Sequence, residues 1–517
     1  MIDPEKFFEK IKNGMGRNGL FAFLSAILCG LFSHMVILTS DIPNHDGLDS
    51  LYFDQNMTTS GRWFLGTACG LSSFYSLPWL TGILAIVYIA VAAVFVVKLL
   101  KVEHPVFSAL IGAMMVSFPS IASNFAYVFT FDGYMLALLF AVLSVYMVER
   151  VKFGFIAGGI FLALSLGTYQ AYLSVAMILC VFKVLEVLFS ESASKKKLRG
   201  VLDYLFMGII GAGLYYGILR IALLIQHKEL DTYQGIDGGF LKGGLFGTVK
   251  TMYYDFFAFS LKSRIIMSNA ISAAAVVLLL LVFAVLFARY VIEKKLYRRC
   301  ITYVSVLGAV VLIPLCANVI FVVSPDVTYH LLMRYQWVIL LIGAVAFCER
   351  QIFSKDPENR LKTCANWGLL LATSVLVFTF AVKDNIAYSN LTKKYEKTYA
   401  YTVRLCDRIE QTEGYTAGMP IRFIGVIGEE AFPETDYTKK DTSGMIGIGG
   451  DYLIYRPENY EKFIKNYLGI TLNIQPSGAD DFYYEDWYVS MHPFPAADSI
   501  VIRDGVMYIK TENHERN

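Results

Sequence analysis

Five acids or acid partners follow the first apolar run of this chain. The stretch SDIPNHDGLDSLYFDQNMTTSGRWF carries Asp41, His45, Asp46, Asp49 and Asp54. A carboxylate placed there can take the proton of an attacking hydroxyl as a general base. Asp46 and Asp49 are three apart and share a face if the stretch is helical, and such a pair can also hold a divalent cation through oxygen ligands. The plain alternative is a solvated polar loop. Asp132, in FTFDGYMLALLF, opens a further apolar segment. An acid at membrane depth is costly and points to function, yet Asp also suits the start of a helix. Tyr169 and Gln170, in LSLGTYQAYLS, interrupt two apolar runs. They offer hydrogen bonds to a sugar, or simply join two helices. The stretch SPDVTYHLLMRYQWV adds Asp326, His330 and Arg334. Arg334 borders a span, so a phosphate or carboxylate partner is expected for it. Arg62 is a second candidate phosphate ligand, and either arginine also reads as an interfacial anchor. His45 and His330 complete the candidate substrate contacts.

These residues must be positioned by membrane helices. Of 517 residues 56% are hydrophobic and 17% charged, and the mean hydropathy is +0.51. Uncharged runs long enough to cross the hydrocarbon recur throughout. They lie at 20–38, 78–98, 106–121, 133–149, 153–168, 171–188, 201–223, 268–289, 301–323, 332–348 and 364–382. The expected fold is a polytopic all-α membrane bundle of about eleven helices over 1–388, followed by a small α/β domain over 389–517. Alternate connections carry Lys98 and Lys101, Arg150 and Lys152, Lys195 to Arg199, Lys294 to Arg299, and Arg350 to Lys362. The positive-inside bias puts these and the N-terminus in the cytoplasm. The first run is too long for a typical signal core and reads as a retained helix. All the candidate residues then fall on the outer side, with the tail. From Asp384 onward there are 14 Lys and Arg against 21 Asp and Glu, as suits an exposed outer domain.

In the tail, 389–413 reads as a charged helix, IRFIGVIG as a buried strand, YEKFIKNYLG as a helix, and SIVIRDGVMYIK as a hairpin turning at Asp-Gly. Loop 39–77 includes MTTSGRWFLGTACG, a candidate short interfacial helix. Loop 224–267 is rich in glycine and reads as turns or a movable lid. The eight cysteines are scattered with no CxxC pair, which excludes a zinc knuckle or disulfide framework. A nucleotide phosphate loop and a dinucleotide fingerprint are both missing. The spans are mostly free of ionisable groups, unlike those of many channels and secondary transporters. Chemistry at the outer surface on a lipid-linked substrate fits better, with a flippase or exporter of a lipid-linked glycan as the rival.

At NHDGLDSLYFDQNMTTSGRWF, FTFDGYMLALLF and LGTYQAYLS the chain resembles the type II O-antigen (serotype-converting) glucosyltransferases, multispanning enzymes of the C-type glycosyltransferase fold. The resemblance runs to about residue 390. It implies a bacterial cytoplasmic-membrane enzyme that moves a hexose, typically glucose, from a polyprenyl-phosphate sugar to an extracytoplasmic glycan. It implies no nucleic-acid partner. It gives the catalytic base to an acid of the first outer loop, which here is Asp46 with Asp49 as competitor, and it matches Asp132 to a second outer acid that orients donor or acceptor. Arg62 and Arg334 as phosphate ligands rest on charge and position. A polyprenyl monophosphate leaving group does not require a metal clamp, so a divalent cation is an option at Asp46 and Asp49.

Overall fold

The computed structural model describes residues 3–49, 57–72, 75–190, 194–232, 235, 244–354, 359–425, 427, 441–442, 444–448, 453–454, 456–476, 478 and 481–512. Helix α1 (Pro4–Leu38) starts behind the Asp3 cap and breaks at Gly16, whose φ of 70° a side chain would resist. Two short helices follow, α2 (His45–Asp49) and α3 (Leu65–Gly70). Next come α4 (Pro78–Leu99), α5 (Pro105–Ser117), α6 (Ser120–Phe125), α7 (Phe131–Arg150), α8 (Gly154–Thr168) and α9 (Leu173–Phe189). The remainder of the bundle is α10 (Ser194–Gln226), α11 (Leu245–Lys262), α12 (Ala270–Glu293), α13 (Cys300–Ala317), α14 (Ile320–Val323), α15 (Gln336–Ile352) and α16 (Arg360–Gln411).

Each of the eleven predicted segments falls on a helix. Among the described residues, eight helices are long and apolar enough to cross a membrane. Three of the eleven are shorter: α5 has 13 residues, α8 has 15 and α15 has 17. Thirteen residues rise about 20 Å, short of a hydrocarbon core of about 30 Å. Helix α5 stops because Phe118 precedes Pro119 and takes an extended conformation, and α6 resumes the course two residues later. Eight crossings therefore follow from length and composition alone, and eleven only if the short helices also cross.

The helices pack in a chain of neighbours, α10–α8–α7–α4–α1–α5–α16–α12–α15–α9–α13. Small residues set the closest approaches. A Cβ on Gly112 of α5 would lie 2.2 Å from the Ala22 carbonyl oxygen of α1, and one on Gly158 of α8 would lie 2.4 Å from that of Ser144 in α7. Lipid-sized side chains such as Phe32, Leu224, Leu307 and Phe378 remain exposed around the bundle. At the C-terminal ends of α4, α7 and α9 lies an ion network that the sequence reading does not anticipate. Lys183, almost fully buried, meets Glu186 at 2.6 Å and Glu149 at 3.3 Å, and Lys101 also pairs with Glu186.

Helix α16 runs unbroken for 52 residues. The last predicted span, the domain boundary at 388/389 and the charged tail helix all lie along it. The tail adds β1 (Pro420–Ile424), α17 (Pro457–Phe463), β2 (Asn473–Ile474), α18 (Asp486–Val489), β3 (Ile500–Arg503) and β4 (Val506–Lys510). The sheet order is β2-β1-β4-β3. Strand β1 is parallel to β2 and β4, and β3 pairs antiparallel with β4. Asp504 and Gly505, both at positive φ, make the predicted two-residue turn. Leu405, Cys406 and Ile409 of α16 join Ile421, Phe463 and Ile509 in the tail core, and so does Leu48 of α2.

Loop 224–267 differs from its sequence reading. Its second half is the 18-residue helix α11, with Thr248 and Met252 buried and Phe256 and Phe259 packed against the bundle. The glycines before Leu245 mask this period-3.6 pattern when the loop is read as a unit.

Candidate active site

A groove of about 680 Å³ opens between α8, α9, α10 and α13. Leu162 and Leu166, Leu173 and Leu188, Val201 and Ala212, and Ile301 and Cys316 mark its course on the four helices. From Ile301 to Cys316 the wall rises about 22 Å at 1.5 Å per residue, most of the hydrocarbon depth. The lining is apolar but for Tyr204 and Ser305. Its lining includes Leu166 and Leu173, which flank the Tyr169–Gln170 turn in the chain, and Cys316, which precedes Ala317.

The first side is an aromatic corner. The Tyr134 and Tyr169 rings stack with centroids 4.1 Å apart. The Arg62 guanidinium lies 5.4 Å from the Tyr169 centroid and 5.9 Å from that of Tyr134, and its Nη1 donates to the Tyr134 hydroxyl at 3.1 Å. Gln170 Nε2 donates to the Ser60 carbonyl at 3.0 Å and to the Tyr215 hydroxyl at 3.3 Å. These bonds anchor the turn that carries Arg62. Trp63 packs on Gly167, where a Cβ would lie 2.4 Å from the indole. His45 and Asp46 open α2, with Nε2 and Oδ1 3.6 Å apart and the Asp46 side chain 42% exposed. Asp46 lies within electrostatic reach of Tyr134. Arg62, Tyr134 and the Tyr169–Gln170 turn are thus brought together.

The second side is an ion pair. Arg334 donates through Nη1 and Nη2 to the two carboxylate oxygens of Asp255 at 2.7 and 2.8 Å. Its Nε and Nη2 also reach the Tyr329 carbonyl, and the guanidinium stacks 3.8 Å from the Tyr329 centroid. The expected partner of Arg334 is thus a carboxylate within the chain, supplied by α11. Asn318 donates to the same carboxylate at 3.1 Å, so Asp255 ties α11, α13 and the turn before α15 together. His330 precedes the short 3-10 turn Leu331–Met333 that delivers Arg334.

Asp132 lies in the first turn of α7, past the cap position Thr130, and is only 1% exposed. Its Oδ2 accepts from Ser72 Oγ at 2.6 Å, and its Oδ1 accepts from the Gly133 amide at 2.8 Å. Tyr134 stands two residues on in the same helix. Asp49 ends α2, but its side chain, like all of Asp54, lies outside the described residues. Among the described residues no three His, Cys, Asp or Glu side chains gather where they could hold a metal ion.

Sequence reasoning passed over Tyr134, Tyr215, Tyr329 and Asp255. Tyr134 lay within the quoted FTFDGYM, hidden by the acid two residues before it. Asp255 was legible only once α11 was read as a helix.

The tail packs onto this end of the bundle. Lys383 of α16 pairs with Asp441 at 2.9 Å, the Leu331 amide donates to the Gly444 carbonyl, and Asn390 and Lys394 donate to the Ile448 carbonyl. Met445 and Ile448 pack into the core of the helical bundle.

The family model described as Glucosyl transferase GtrII matches residues 35–341, more than half of the chain. That interval holds the groove lining and the Arg62 and Arg334 clusters. No curated protein matches the chain.

Proposed function

The chain belongs to the GtrII glucosyl transferase family, a membrane glycosyltransferase assignment from which we propose a fuller reading: it transfers glucose from a polyprenyl-phosphate-glucose donor to O-antigen at the outer face of the bacterial cytoplasmic membrane. The observation that carries this reading is the groove. A long apolar trough across the helical bundle, whose lining residues Leu166 and Leu173 flank the turn that carries Tyr169 and Gln170, suits a ligand with a long hydrocarbon tail and an anionic sugar head. The charge bias of the connections supports an inner N-terminus and an outer tail domain.

In this mechanism the polyprenyl chain occupies the groove and the donor phosphate sits at its mouth. Arg62 offsets the charge that grows on the phosphate as the bond from the sugar C1 to the phosphate oxygen breaks. Asp46 takes the proton of the acceptor hydroxyl as that oxygen bonds to C1, with Asp49 the alternative base. One displacement on the face opposite the leaving phosphate inverts the anomeric centre. His45 orients Asp46, and Tyr169 and Gln170 border the sugar. Asp132 positions Tyr134 through the first turn of α7. Arg334, locked to Asp255, braces the far lip of the mouth beside His330.

The test is transfer by purified protein from defined polyprenyl-phosphate sugars to O-antigen, with the product linkage determined. Asp46→Asn is expected to lower kcat by about 10²–10⁴. A flippase of lipid-linked glycans shares the groove but has no task for a general base. Translocation without transfer from any polyprenyl-phosphate sugar would sink the enzyme reading.

A further inference from the structure

Two walls of the groove begin beside basic sequence. The first lining residue of α10 is Val201, and that of α13 is Ile301. Lys195, Lys196, Lys197 and Arg199 lead into the one, and Lys294, Lys295, Arg298 and Arg299 into the other. Leu188, the last lining residue of α9, marks the same end, because a short turn joins α9 to α10. Helix α14, just past the C-terminus of α13, packs on the Gln170–Tyr172 turn that precedes α9. Helix α13 therefore runs antiparallel to α9, and its start lies towards Leu188 as well.

The fold turns these cations outward. Leu296 is buried and pins the 3-10 turn Leu296–Arg298, which leaves Lys294, Lys295 and Arg298 exposed. Lys197 Nζ donates to the Leu188 carbonyl at 2.8 Å and closes the α9–α10 turn. Lys195, Lys196, Arg199, Lys294 and Lys295 are exposed and have no ion-pair partner among the described residues. The buried Lys183 differs, since Glu186 and Glu149 neutralise it. Against the exposed cations stand Asp203, one turn beyond Arg199, and Glu293, which Arg289 holds at 2.5 Å. The starts of α10 and α13 add the positive ends of two helix dipoles.

The groove is also open sideways. Leu205 and Ile209 of α10, and Ile301, Val304 and Leu312 of α13, line it and are exposed. Hydrocarbon chains can enter between the two helices from the bilayer. An apolar slot that starts between two basic runs suits an amphiphile with a negative head: the chains lie in the slot and the phosphate meets the cations. A zwitterionic head brings no net charge to that field.

We propose that this end of the groove binds an anionic phospholipid of the phosphatidylglycerol class, with acyl chains between α10 and α13 and its phosphate between the two basic runs. The site lies opposite the end given to the donor phosphate, and it goes beyond the glucosyltransfer reading.

The experiment uses full-length protein in detergent, without donor or acceptor. Bound lipid is counted by native mass spectrometry while phosphatidylglycerol, or phosphatidylcholine with the same acyl chains, is titrated. The parent is expected to hold phosphatidylglycerol about tenfold more tightly. Arg199→Gln and Lys295→Gln are each expected to weaken it about fivefold, and the double variant about twentyfold. Each run keeps three cations, enough to hold the orientation of the helices. Gly208 lines the groove, and a Cβ there meets open space. Gly208→Phe is therefore expected to weaken phosphatidylglycerol about tenfold with every cation in place. Arg360→Gln, at an exposed position outside the groove lining, is expected to leave binding unchanged. Equal affinity of the parent for the two lipids overturns the site. So does a loss in Arg360→Gln as large as that in Arg199→Gln, or parental binding in Gly208→Phe. Polyprenyl phosphate is the third titrant: tighter binding than phosphatidylglycerol, weakened by the same substitutions, would give this end to the donor and overturn the proposal. The transfer assay on the parent reports independently on the glucosyltransfer reading.

Discussion

Two arginines are the proposed flanks of the groove mouth, and the fold holds them by different means. Arg334 is gripped by both oxygens of Asp255 and by a backbone carbonyl. Arg62 is held by a phenol hydroxyl and two tyrosine faces. A bidentate carboxylate cancels a guanidinium and fixes its geometry. Ring faces orient a guanidinium by stacking. The proposed mechanism gives the two different tasks: Arg334 braces helices, and Arg62 serves the donor phosphate.

The largest effect that can break this contrast is on folding. Arg334→Met leaves Asp255 charged and partly buried, and is expected to cost about 3–5 kcal/mol of stability, read as a lower thermal midpoint in detergent. Arg334→Met with Asp255→Leu should recover most of that loss. A single-variant cost below about 1 kcal/mol would make the pair peripheral. Arg62→Lys should do the reverse, lowering kcat about 10²–10³-fold while the thermal midpoint stays close to that of the parent. If Arg62→Lys unfolds the protein and Arg334→Met only slows it, the two roles are exchanged. The smallest expected effect sharpens the groove that the arginines share. A Cβ at Gly308 meets open space within the groove lining. Gly308→Phe is therefore expected to raise donor KM about tenfold, leaving acceptor KM unchanged.

Much of this molecule is legible in its sequence because the relevant physics is local. Apolar runs mark the helices whatever surrounds them, and Asp504–Gly505 announces its hairpin because few other residues accept positive φ. The convergence of Asp46, Arg62 and Gln170 on the outer side follows from counting spans. The rest depends on tertiary contact. Nothing near Arg334 in the chain names Asp255, which is 79 residues away. Nothing near Asp132 in the chain names Ser72, its hydrogen-bond donor from a different loop. Leu48 looks like an ordinary loop leucine until it enters the core of the tail domain. The break at Pro119 was within reach, because proline disfavours helical geometry in the residue before it.

Helix α16 carries a mechanical implication. Fifty-two unbroken residues make a mast of about 78 Å, rooted among the membrane helices and ending inside the tail core. The height and heading of the tail are then set by residue count. One residue inserted beyond the Lys383–Asp441 strut would swing the tail by about 100° around the mast, while seven would lift it about 10 Å and return it nearly to its first heading. Length changes in this helix are thus discrete rotations, with a seven-residue repeat as the mildest.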